Sequence, residues 1–65
     1  MRRSVEKLSV GEVFRYKDDE DAPRFIVESV ELTGRTMVHL TYHHIADGPP
    51  THRVMSRGIE LEVER

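Results

Sequence analysis

Cysteine and tryptophan are both absent from this sequence of 65 residues, and its aromatic side chains are only Phe14, Tyr16, Phe25 and Tyr42. Without cysteine there is neither a disulfide nor a thiolate zinc site, which fits a reducing compartment. No apolar run approaches the roughly 20 residues a membrane helix needs, and no apolar signal core follows Met1-Arg2-Arg3. A soluble, cytoplasmic protein with no membrane contact is the expectation. Catalytic patterns are missing too. Ser4, Ser9, Ser29 and Ser56 lie in no nucleophile elbow, and no glycine-rich phosphate loop occurs. The sequence therefore predicts no enzyme, no catalytic residue and no cofactor.

Charge is abundant but balanced. Ten Lys and Arg stand against twelve Asp and Glu, for a net −2, which argues against coating nucleic acid nonspecifically. A local basic face remains open. Hydrophobic residues make up 37% of the chain, a low share, yet they fall in periodic blocks that a disordered chain would lack. A chain this small buries only about 60% of the surface its unfolded form exposes, so one domain of modest stability is expected. That domain spans residues 1–65, with its core over about 10–64 and residues 1–9 as an N-terminal extension or short turn.

The blocks read Val10–Tyr16, Arg24–Leu32, Arg35–His44, Thr51–Ser56 and Ile59–Glu64. Short alternating segments separated by turn residues predict antiparallel strands. Ahead of them, Ser4–Ser9 predicts one irregular or helical turn, with Val5 and Leu8 as a small apolar anchor. In the first block Phe14 and Tyr16 share a face by the two-residue period. Arg24–Leu32 changes phase, since Phe25 and Val27 need one register and Val30 and Leu32 the next. A bulge at Glu28-Ser29 brings all four inward and bends the strand.

Thr33-Gly34 predicts a tight hairpin. Beyond it Val38, Leu40 and Tyr42 face the core, and Met37, His39, Thr41 and His43 face away. Pro49 and Pro50 interrupt the ladder. The apolar pattern then turns Val54 inward and sets Tyr42 against Val54, His44 against His52 and His43 against Arg53. In the last block Ile59, Leu61 and Val63 alternate with Glu60, Glu62 and Glu64, which are expected opposite Arg15 and Lys17.

Five strands, the second bulged, with a tight turn before the third and a short break before the last, resemble the SH3-like small barrel. Val10-Gly11-Glu12-Val13-Phe14 opens in the manner of many such barrels. The expected fold is therefore all-β, a small five-stranded antiparallel SH3-like barrel. Peptide-binding SH3 domains use an aromatic groove with a tryptophan pair, which this chain lacks, so proline-peptide binding does not carry over.

Two clusters are candidate interaction sites. On the predicted third–fourth hairpin, Arg35, Met37, His39, His43, Arg53, Met55 and Arg57 are expected on one face, a cationic surface with adaptable methionines between. Its plain alternative is a solvated outer face neutralised by Glu28 and Glu31. The second cluster is the acidic loop Asp18, Asp19, Glu20 and Asp21, either a solubilising loop or negative charge presented to a basic partner. His44, His52 and Asp47 gather at the hairpin end in the assumed register, but no metal signature accompanies them and no metal site is predicted. The leading expectation is a small binding module acting on another protein. A nucleic-acid-binding barrel and an oligomerising barrel that pairs through a strand edge are the alternatives.

Overall fold

The structure, a computed structural model, describes residues 1–64. Its strands are β1 (Arg2–Ser4), β2 (Val13–Arg15), β3 (Phe25–Thr33), β4 (Met37–His44), β5 (Thr51–Ser56) and β6 (Glu60–Glu64). All belong to one antiparallel sheet in the order β1-β6-β2-β3-β4-β5. The chain is all-β as expected, but the sheet is not closed: β1 and β5 are its two edges, in place of a five-stranded closed barrel. Among the described residues, no helix is long and apolar enough to cross a membrane.

Alternation along the strands sorts residues between an inner and an outer face. Phe14, Val27, Val38, Leu40, Tyr42, Leu61 and Val63 form the buried inner face. A single 3-10 turn at Val5–Lys7 caps it, contributing Val5, and Leu8 follows from the next segment. The anchor expected from the Val5/Leu8 spacing is thus part of the core. Arg2–Ser4, expected as part of an extension, instead adds a strand by pairing Arg2 with Glu62 and Ser4 with Glu60.

β3 carries the bulge. Its register with β4 shifts between Val27, opposite Tyr42, and Ser29, opposite Thr41, so Glu28 is the extra residue. Val30 and Leu32 then fall opposite Leu40 and Val38, though Leu32 lies at the uncovered end and is 57% exposed. Gly34 turns the hairpin at φ +73°, a backbone state that side-chain-bearing residues avoid.

The β4–β5 register differs from the one the apolar pattern implies. Tyr42 faces Thr51, Thr41 faces His52 and His39 faces Val54, a displacement of three residues. An odd displacement turns a strand over. Val54 consequently lies on the outer face, 58% exposed, while Met55 packs against the core. Pro49 and Pro50 supply no ladder donor, so β5 begins only at Thr51, and His43 and His44 extend past it along β3 alone.

Both terminal blocks are also shorter than predicted. Val10 and Ile59 fall outside the strands and are exposed. β2 and β6 pair as expected, with Arg15 opposite Glu62. The glutamates of β6 find other cationic partners, however: Glu60 meets Arg2 at 3.4 Å, Glu64 meets Arg24 at 3.1 Å and Glu62 meets the Met1 amino group at 3.0 Å.

Candidate functional site

All four aromatic rings converge at one end of the inner face. Phe14 projects from the middle of β2 and Tyr16 from just past its end, two residues on. Phe25 sits opposite Phe14 in one direction and His44 in the other. Phe25 and Tyr42 ring centroids are 5.0 Å apart, Phe14 and Tyr42 5.3 Å, and Tyr16 and Phe25 5.9 Å, all edge-on. Edge-on contact sets the positive rim of one ring against the negative face of another, adding about 0.5–1.5 kcal/mol per pair beyond simple burial. The Tyr16 hydroxyl donates to the Tyr42 hydroxyl at 2.9 Å.

Burial, reinforced by that hydrogen bond, pushes the Tyr16 phenol up to about 12. Arg53 opposes the rise: its guanidinium carbon lies 5.3 Å from the centre of the Tyr16 ring, and the same proximity pushes the Arg53 pKa upward. Tyr16 nevertheless remains 38% exposed. It therefore forms a wall rather than a core residue.

Beside Tyr16 the acidic loop folds back to enclose a pocket of about 300 Å³. Tyr16 and Phe25 form its aromatic side, Ala22 and Pro23 its aliphatic side, and Lys17, Asp19 and Asp21 its polar part. The loop is shaped by Asp19. Its side chain accepts from the Asp21 amide at 3.0 Å, and its carbonyl accepts from the Ala22 amide and from Arg15 Nη1, each at 3.0 Å. Arg15 also lies 3.9 Å from Asp18. Asp18, Asp19, Glu20 and Asp21 are all exposed, as expected of a solvated loop, and of their side chains only that of Asp19 bonds within the turn.

The predicted cationic hairpin face does not assemble. Met37, His39 and His43 lie on the outer face, but the turned-over β5 sends Arg53 and Met55 to the inner face. Arg35 is exposed beside the β3–β4 turn, and Arg57 lies beyond β5 with its Nε 4.0 Å from Glu6. Glu28, the bulge residue, instead meets His43 at 2.6 Å. The outer face is therefore a histidine face. The rings of His39 and His52 are 5.6 Å apart, and His52 Nδ1 lies 3.1 Å from the Thr41 hydroxyl.

The corrected register also separates His44 from His52. His44 sits against Phe25 and accepts from the Ala46 amide, while Asp47 accepts from the amide of Gly48. Among the described residues, no group of three or more His, Asp or Glu is placed to hold a metal ion.

The pocket was not among the sites read from the sequence, although its signal was present. Tyr16 and Phe25 bracket the acidic run directly, and Pro23 stiffens its end. Aromatic residues on both sides of a charged loop are placed to meet when the flanking strands pair. Comparison with known proteins finds no matching family model, no matching curated protein and no matching solved structure.

Proposed function

We propose that this chain is a non-enzymatic protein-binding module that receives an extended segment of a partner along the free edge of β5. The observation that carries this reading is the hydrogen-bond phase of β4 and β5. The Arg57 amide donates to the Thr36 carbonyl at 2.7 Å, and bonded pairs in an antiparallel ladder recur at every second residue. Thr51, Arg53 and Met55 therefore bond inward to β4, and His52, Val54 and Ser56 direct their N–H and C=O groups to the open side.

That edge is six residues long, has no internal proline and carries Val54 exposed on its outer face. Natural edges are usually blunted by charge, proline, bulges or shortness; here Arg53, turned inward, is the one such device within β5, and the outward amides and exposed Val54 still offer a template for strand addition. The SH3-like course belongs to the same reading, since β6-β2-β3-β4-β5 follows a meander that returns its last strand beside the first. So does a cytoplasmic location, on the lack of cysteine. The nucleic-acid alternative draws less support, because Arg35, Arg53 and Arg57 no longer share a surface.

Val54→Pro tests the proposal selectively. It deletes an outward amide and leaves the bonds from β5 to β4 in place. Peptides selected from a random display library on the native protein are expected to lose at least about tenfold in affinity on this variant, the equivalent of about 1.4 kcal/mol. Selected peptides that bind both forms equally would refute edge docking. Sizing chromatography over a concentration range shows whether a second copy supplies the added strand.

A further inference from the structure

We propose that the pocket between Tyr16, Phe25 and the acidic loop binds an organic cation, a methylated ammonium or a guanidinium head. The walls supply the first reason. Tyr16 and Phe25 line an open space of about 300 Å³, and an aromatic face attracts a cation within about 6 Å of its centre. The volume lies at the lower end for ligand sites, suited to one long side chain or a small ion of similar bulk.

Charge supplies the second reason. Asp19 and Asp21 line the pocket and Asp18 and Glu20 stand in the same loop, against Lys17 in the lining and Arg15, which reaches Asp18 and the Asp19 carbonyl. A weakly hydrated cation gains from both features at once, aromatic side chains and two acidic residues in one lining. A neutral apolar ligand gains only from the first.

The protein provides an internal demonstration of the same chemistry. Its own Arg53 guanidinium is held against Tyr16 at 5.3 Å, outside the pocket lining. The receptor is also built before a ligand arrives. Tyr16 is fixed by its hydrogen bond to Tyr42 and by its ring contact with Phe25, and the loop by the bonds to Asp19. Little ordering remains to oppose binding.

The test uses the whole chain, labelled with nitrogen-15 and titrated separately with choline, methylguanidinium and 3,3-dimethylbutan-1-ol, the uncharged isostere of choline. A peptide bearing trimethyllysine forms a fourth arm and distinguishes a side-chain ligand from a free one. At least one cation is expected to shift the amides of residues 16–25 and to bind about tenfold or more tightly than the alcohol. The double variant Asp19→Asn with Asp21→Asn keeps the amide-accepting oxygen of the loop, and its spectrum should remain that of the folded chain with cation binding weakened several-fold. Tyr16→Leu should abolish the preference over the alcohol. Equal binding of cation and alcohol, shifts outside the pocket, or no saturable shift with any of the cations overturns the proposal. Val54→Pro leaves this site untouched, so the two proposals fail separately.

Discussion

Leu40 and His39 are neighbours on β4, yet they belong to surfaces of different chemistry. Leu40 lies with Val38 and Tyr42 on a face closed by Val5, Leu8 and the strands on either side. His39 lies with Thr41 and His43 on a face whose contacts are single hydrogen bonds and a ring-to-ring approach to His52. The inner face holds the fold together because the fully buried apolar side chains of the chain are gathered there. The outer face is set by the sheet and contributes little to it.

Four measurements can break or sharpen that division. Leu40→Ala is expected to destabilise by about 2–5 kcal/mol, enough to unfold so small a domain, whereas His39→Ala should stay within about 0.5 kcal/mol. Denaturant unfolding of both compares two adjacent positions, and similar losses would dissolve the distinction. A matched pair comes next. Val38→Thr buries a hydroxyl among apolar neighbours and is expected to lose about 1–3 kcal/mol. Val54→Thr places the same group in water and should lose less than about 0.5 kcal/mol.

A third measurement uses pH. Tyr16 ionises near 10.0 when unfolded and is pushed up to about 12 in the fold. Between those values the unfolded chain releases this proton and the folded chain retains it, so this group's contribution to stability is complete below pH 10.0 and declines as pH rises toward about 12. Phenolate absorbance should show Tyr16 titrating late, and Arg53→Met should delay it further. An unshifted Tyr16 would argue against the packed aromatic end. The smallest effect is expected at Glu28→Gln, which removes the charge facing His43 between two part-exposed side chains and should change stability by less than about 1 kcal/mol.

Most of the inner face was legible in the sequence. Phe14, Val27, Leu40 and Leu61 were expected there and are buried, because a two-residue period reports facing whatever the strand pairs with. The bulge at Glu28-Ser29 was legible for the same reason, as a break in that period. What the period does not encode is which residue lies opposite which. β5 offers a single strong aliphatic residue, Val54, and reading it as core chose the wrong parity and assembled a basic face that the fold divides. The true parity is favoured by Met55 against the core and Arg53 over Tyr16, contacts between distant segments that no local pattern announces. β1 was hidden likewise, since three residues beginning Arg2-Arg3 carry no alternation to detect.

Glu28 has one more consequence, for how this chain tolerates insertion and deletion. A lost residue is usually absorbed in a loop, and strands tolerate such losses poorly. Here β3 already contains a surplus position, the one β4 leaves unmatched between Val27 and Ser29. Removing Glu28 would give an unbroken ladder in which Val27 and Val30 stand two positions apart and still share the inner side, so the shorter strand would be more regular and its sequence compatible with it. What the deletion would remove is the local bend of the bulge and the contact of Glu28 with His43. The extra residue therefore shapes the curve of β3 without deciding which of its residues face the core, and β3 is a strand that can lose one residue at this position and keep its facing.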